Sequence, residues 1–312
     1  MINVKKYIEL IKDLDYVAIK FEAPHLHENF PDEYVPGKDL DLIVTKEHQD
    51  KLYEITSNYM KQYEKDYQVR YLPTGIDLRK SDGSMEFGVD ISTSYNNLRQ
   101  SIIDRAIKEH RIVNDTKVPP IRDEVYFRAY TYHFQRHKQY HQDYITENVS
   151  HLDEFFILTL WPSVHKYFDE IENKLREHFI FFDSRTFTFN DREEYYNGLI
   201  DLYTIDDSFN DSHRKRLYDE KYGHMFVSEP DCHKIGFKMM LIDLPEPRMR
   251  NKTVGEPVST IIEHVKRWHR ENYRDRVNNN VYDLVIHSTD NHEQSRNMIK
   301  VMNKYRGWEC TS

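Results

Sequence analysis

Glycine is scarce in this chain, with only 9 residues in 312, which argues against an architecture of glycine-rich phosphate loops. Cysteine is scarcer still. Cys232 and Cys310 lie far apart, outside any CxxC spacing, so no disulfide framework is expected. That usage suits a reducing compartment, and a cytoplasmic location is expected. No run of about 18 apolar residues occurs, so no membrane span is expected. The opening Met1-Ile2-Asn3-Val4-Lys5-Lys6 has no long apolar segment behind it and does not read as a secretory signal. An excess of positive charge is also missing. The formal net charge of -9 argues against broad nucleic-acid binding, which needs a basic footprint. What the chain does have is charge (31%) and aromatic residues (13%, with 23 Tyr and 16 Phe). Disordered chains are aromatic-poor, so a folded protein with Tyr-rich cores and clefts is expected.

Hydrophobic periodicity predicts a helix over residues 2–14, a strand over 16–22, and an irregular loop over 23–37, where three prolines fall. A strand over 40–44, a helix over 47–63, strands over 67–72 and 85–91, and a helix over 96–108 follow. The order suits an α+β fold with a small mixed sheet and helices on one face. Val118-Pro119-Pro120 marks a boundary. Long helices are expected over 123–140 and 151–178. Residues 183–231 are polar and Tyr-rich with no clear pattern. A strand over 237–244, a helix over 258–271, a strand over 281–287 and a helix over 292–305 read as a C-terminal α/β unit. The expected organisation is thus a mixed-sheet domain (1–117), a central helical region (118–231) and the C-terminal unit (232–312).

The most informative stretch is Gly37-Lys38-Asp39-Leu40-Asp41-Leu42-Ile43-Val44. Successive strand residues face opposite ways, so Asp39 and Asp41 share one face and Leu40 and Leu42 the other. Asp is depleted inside strands, which sets this pair apart from ordinary strand-edge polarity. A third carboxylate, Asp90, stands in Phe87-Gly88-Val89-Asp90-Ile91-Ser92. If the two strands are neighbours, three carboxylates converge. Such a cluster calls for a hard cation, Mg²⁺ or Mn²⁺. Converting Asp39 or Asp41 to Asn is then expected to abolish turnover and spare the fold.

The pattern resembles the nucleotidyltransferase superfamily of DNA polymerase beta type. That family carries two carboxylates in an apolar-Asp-apolar-Asp-apolar strand and a third in a nearby apolar-Asp-apolar strand. Asp39, Asp41 and Asp90 match those positions, and the resemblance covers about the first 115 residues. The run Tyr16-Val17-Ala18-Ile19-Lys20, the run Pro36-Gly37-Lys38-Asp39-Leu40-Asp41-Leu42 and residues 126–138 are similar to nucleotidyltransferase-like proteins of bacterial surface-polysaccharide gene clusters. The resemblance implies a nucleotidyltransferase-like core and a Mg²⁺- or Mn²⁺-dependent transfer from a nucleoside triphosphate. The acceptor would be a hydroxyl or phosphate compound, such as a sugar or sugar phosphate. Asp39, Asp41 and Asp90 would be both catalytic and metal-binding, with Lys38 beside them binding substrate. The family's Gly-Ser pair ahead of the aspartates has no counterpart, since the stretch here reads Phe21-Glu22-Ala23-Pro24-His25.

Three further constellations carry possible chemistry. His133, His137 and His141 would form a stripe on a helix, with Arg136 and Lys138 beside them able to meet substrate phosphates. A solvated polar face is the plainer alternative. His287-Ser288-Thr289-Asp290-Asn291 follows an apolar strand and precedes a helix. Such residues cap helices, but His287, Ser288 and Asp290 could also contact an anionic acceptor at the helix start. Arg248-Met249-Arg250-Asn251-Lys252-Thr253 is either a solvated loop or a clamp on a phosphorylated acceptor. Two other functional readings stay open. One is a metal-dependent glycosyltransferase using Asp-Leu-Asp, and the other a noncatalytic binding protein of the same fold. The sequence leaves the oligomeric state undecided.

Overall fold

A computed structural model describes residues 2–21, 25–205, 209–244, 246–251, 257–277 and 284–305. The protein is an α+β protein whose chain divides into two compact units, residues 1–144 and 145–312.

The first unit is built on a five-stranded mixed sheet. Helix α1 (Val4–Ile11) starts where the Asn3 side chain accepts the Lys6 N–H. It leads into β1 (Tyr16–Ile19), β2 (Lys38–Val44), α2 (Lys46–Lys61), β3 (Gln68–Leu72), β4 (Gly75–Arg79) and β5 (Met85–Ser92). The sheet order is β1-β2-β5-β4-β3, with β2 and β5 parallel and the other pairs antiparallel. Alternation is strict on the central strands. Leu40, Leu42, Val44, Phe87, Val89, Ile91, Ile76 and Leu78 join one buried core with Tyr7, Ile8 and Ile11 of α1 and Leu52, Tyr59 and Met60 of α2. The opposite face carries Asp39, Asp41 and Asp90. A slip of one residue would turn Leu40, Leu42 and Val44 out of the core, at roughly 1.5–3 kcal/mol for each fully exposed side chain, so the register is firmly set.

The expected elements here appear with shifted ends, and three strands were not anticipated. Strand β4 lies inside the segment expected to be a polar connection, although Ile76 and Leu78 alternate with Asp77 as a half-buried strand should. After α3 (Gln100–Lys108), β6 (Arg111–Val113) and β7 (Thr116–Val118) form a hairpin. Asn114 and Asp115 both have positive φ (47° and 61°), as a tight two-residue hairpin turn requires. The helix expected over 123–140 is two helices, α4 (Ile121–Phe134) and α5 (Gln139–Asn148). Gln135 leaves helical geometry (φ -127°, ψ 54°), so His133, His137 and His141 do not form a stripe.

The second unit holds an antiparallel sheet in the order β13-β8-β10-β9. Its elements are β8 (Phe156–Leu160), α6 (Phe168–Arg176), β9 (Ile180–Phe187), α7 (Arg192–Tyr203), α8 (Asp211–Arg216), α9 (His224–Ser228), α10 (Cys232–Ile235) and β10 (Phe237–Asp243). A short pair, β11 (Met249–Arg250) and β12 (Val258–Ser259), then α11 (Thr260–Tyr273), β13 (Ile286–Ser288) and α12 (His292–Asn303) complete it. The continuous helix expected over 151–178 is absent, because Phe156-Ile157-Leu158-Thr159-Leu160 is a fully buried strand ended by Trp161-Pro162. A short apolar run reads alike for a buried strand and a buried helix, which explains the error. Of the strand expected over 281–287, residues 281–283 lie outside the described residues, as do Lys252 and Thr253 of the basic run and Cys310.

Candidate functional site

Strand pairing brings the aspartates together. Asp41 lies opposite Asp90 and Asp39 opposite Gly88 across the parallel β2–β5 pair, so all three carboxylates share one face. Gly75 lies opposite Asp90 on the other side. A Cβ at Gly75 would come within 2.3 Å of the Val89 carbonyl oxygen and 2.8 Å of Asp90 Oδ1, so only glycine leaves room there for the Asp90 carboxylate. A fourth carboxylate on this face, the buried Asp77, is held by Arg79 at 2.9 Å.

Two basic side chains from the end of β1 and the loop beyond it meet this face. Lys20 Nζ lies 2.6 Å from Asp41 Oδ2, and His25 Nε2 lies 3.1 Å from the same oxygen and 4.0 Å from Asp39 Oδ1. Burial works against ionisation of Asp41. The His25 hydrogen bond and the Lys20 charge outweigh it and hold the carboxyl below its ordinary range. Burial likewise opposes the Lys20 charge, and Asp41 more than restores it, so Lys20 stays raised.

Asp90 has the opposite fate. Burial, then the charges of Asp39 and Asp41, push it up to about 7. The folded chain therefore keeps a proton that the unfolded chain, with its carboxyl near 3.8, has already lost. The stability this proton confers is complete below about pH 4 and lost as the pH rises through about 7. Asp90→Asn is accordingly expected to leave stability near pH 4 unchanged and to raise it at pH 8. The gain is about 2 kcal/mol, half the full linkage value of about 4 because solvent reaches the cluster. Urea midpoints in EDTA at the two pH values measure this, and equal differences at both would contradict it.

Lys20 adopts a left-handed backbone (φ 57°), uncommon for a residue with a side chain. Its amide donates to Glu124 Oε1 at 2.9 Å, and Arg128 Nε donates to the same oxygen at 2.6 Å. Glu124 and Arg128 are one turn apart on α4, and both are buried. Arg128 also meets His141 Nδ1 at 3.4 Å and lies over the Tyr144 ring at 4.8 Å. Burial, then the charges of Arg128 and Lys20, drive His141 down to about 3, so its ring is neutral. Tyr95, hydrogen-bonded to Thr131, is pushed up to about 12 by burial, with the Lys20 charge opposing.

The structure distributes the expected site residues unevenly. Asp39, Asp41 and Asp90 come together. Lys38 alternates with Asp39 and lies opposite the core residue Phe87, so it falls on the other face of the sheet, away from the aspartates. Arg136 is exposed in the turn between α4 and α5; Lys138 stands in the same turn, and its charge acts on His141. His287, Ser288 and Asp290 belong to the second unit. His287 packs its ring 5.1 Å from Tyr203 and 6.2 Å from Trp161. Ser288 is buried. Asp290 lies 3.9 Å from Lys266. Asn291 caps α12, and Thr289 bonds the Ile157 amide and Ser295. The strand that carries His287 pairs antiparallel with β8, so the ligand position that parallel sheets offer at their strand ends does not arise here.

Sequence reading missed Lys20, His25, Glu124 and Arg128. The one available signal was a lysine directly after the apolar run Tyr16-Val17-Ala18-Ile19. Among the described residues, His25, Asp39 and Asp41 each offer a ligand atom, all within 4.8 Å of one another, a spacing that fits one cation. No protein-family model matches the chain, and a comparison with curated proteins likewise finds no match.

Proposed function

We propose that the aspartate face of the first unit is the site of a metal-dependent nucleotidyl transfer from a nucleoside triphosphate to a hydroxyl or phosphate acceptor, such as a sugar or sugar phosphate. The observation that carries this reading is the in-register pairing of Asp41 with Asp90, with Asp39 on the same face. The resemblance of the two aspartate strands to nucleotidyltransferases of DNA polymerase beta type supports it. Asp39 and Asp41 would hold a divalent ion. Bound there, the ion would supply positive charge to the transferred phosphoryl group and the leaving pyrophosphate. Asp90, poised near neutrality, would take the proton of the attacking hydroxyl. Lys20 would turn its ammonium toward the phosphates once a metal takes its place on Asp41.

One observation favours a second reading, a noncatalytic binding protein. The Gly-Ser pair that the resembled family carries ahead of its aspartates has no counterpart before Asp39. The two readings part on pyrophosphate release. The full chain is incubated with each of the four nucleoside triphosphates, Mg²⁺ or Mn²⁺, and pooled sugar and sugar-phosphate acceptors. Acceptor-dependent pyrophosphate that disappears with EDTA is expected. No release from any triphosphate, with either metal, would leave the binding protein as the better account.

A further inference from the structure

We infer that His25 is a ligand to the ion held by Asp39 and Asp41, and that its nitrogen tunes the site to a first-row transition ion such as Mn²⁺ over Mg²⁺. This rests on the metal reading above and adds the identity of the ion. His25 comes from the loop between β1 and β2, yet it is 5% exposed and its Nε2 points into the carboxylates. The distances suit coordination. Two donors each about 2.1 Å from one ion lie about 3.0 Å apart at right angles and about 4.2 Å apart when opposed. His25 Nε2 stands 3.1 Å from Asp41 Oδ2 and 4.0 Å from Asp39 Oδ1, inside that window on both counts. The side chains would thus surround the ion without a large rearrangement of the strands.

The donor set then decides which ion. Mg²⁺ favours oxygen ligands in a near-ideal octahedron and parts reluctantly with its waters. Imidazole nitrogen is a softer donor that suits transition ions, whose affinities rise along the first row. An all-carboxylate site would discriminate little between Mg²⁺ and Mn²⁺. One nitrogen among two carboxylates gives Mn²⁺ a bond that Mg²⁺ gains little from. Asp41 Oδ2 is at present shared by Lys20 and His25, so the entering ion would displace the Lys20 ammonium and the proton on His25 Nε2, which moves to solvent or to Nδ1 and frees the Nε2 lone pair.

The test uses the full chain and Mn²⁺ itself. Three-pulse electron spin echo spectra of the Mn²⁺ complex are expected to carry the ¹⁴N modulation of a directly bound imidazole. Calorimetry is expected to give an affinity for Mn²⁺ about tenfold above that for Mg²⁺. In His25→Gln, which can still hydrogen-bond Asp41 and so preserve the loop, the ¹⁴N modulation should vanish. Mn²⁺ affinity should fall about tenfold in that variant, with Mg²⁺ affinity changed by no more than about twofold. Mn²⁺ bound without ¹⁴N coupling, or an unchanged Mn²⁺/Mg²⁺ ratio in His25→Gln, would overturn the role of His25 and leave the metal site standing. Binding of neither ion, or binding indifferent to Asp39→Asn, would instead remove the metal site and this inference with it.

Discussion

Asp39→Asn is expected to abolish metal-dependent turnover, by about a thousandfold or more, while the protein stays folded. The size follows from losing several kcal/mol of charge stabilisation at the transferred phosphoryl group, at 1.36 kcal/mol per factor of ten. Retention of the fold follows from geometry. The Asp39 side chain is 33% exposed, and its charge is one of those that repel Asp90. Removing it relieves that repulsion, so the melting temperature of the metal-free protein should hold or rise. Asp41→Asn differs, contrary to the expectation that the two aspartates behave alike. It would strip the partner from Lys20 and His25, whose side chains are only 11% and 6% exposed. An uncompensated buried charge costs about 3 kcal/mol or more, so this variant should melt earlier. Pyrophosphate release and thermal melting on both variants check the contrast. Full turnover in Asp39→Asn would end the metal mechanism.

Glu124→Ala should destabilise the first unit by about 3–5 kcal/mol. One carboxylate oxygen receives both the Lys20 amide and Arg128 Nε. Arg128 is 1% exposed, and its Nη2, like His141 Nε2 and the second Glu124 oxygen, already lacks a protein partner. Without Glu124 the guanidinium becomes a buried charge with no counter-ion, and the left-handed turn at Lys20 loses the acceptor that pins it. Glu124→Gln keeps an acceptor of the same shape and should cost less. Urea midpoints rank the two variants. Near-wild-type stability in Glu124→Ala would mean that this network does not hold Lys20 in place.

A network of this kind explains how far sequence reading could reach. The pairing of Asp39 with Asp41 was legible because strand alternation is local and holds whatever the neighbouring strand is. The α+β class and most elements of the first unit were legible for the same reason. Strand β4 escaped because the alternation of Ile76, Asp77 and Leu78 is only three residues long, and β8 because Phe156-Ile157-Leu158-Thr159-Leu160, apolar at four of five positions, carries no period. The break after Phe134 is marked by neither Pro nor Gly, so the histidine stripe looked continuous on paper.

By itself, then, the sequence determined that two carboxylates would share a strand face and that little glycine or cysteine would be available for other chemistry. Only the tertiary structure decided their company. Asp90 joins because β5 lies parallel to β2 with Asp90 opposite Asp41, while β3 and β4, which precede β5 in the chain, fall outside it. Lys38, adjacent to Asp39 in sequence, is excluded by the same pleat that unites the aspartates. Lys20 owes its turn to Glu124, 104 residues away. The physical reason is common to all three. Side-chain direction along a strand follows from local stereochemistry, whereas the choice of neighbours follows from burying the apolar faces of the whole sheet, which no short stretch of sequence encodes.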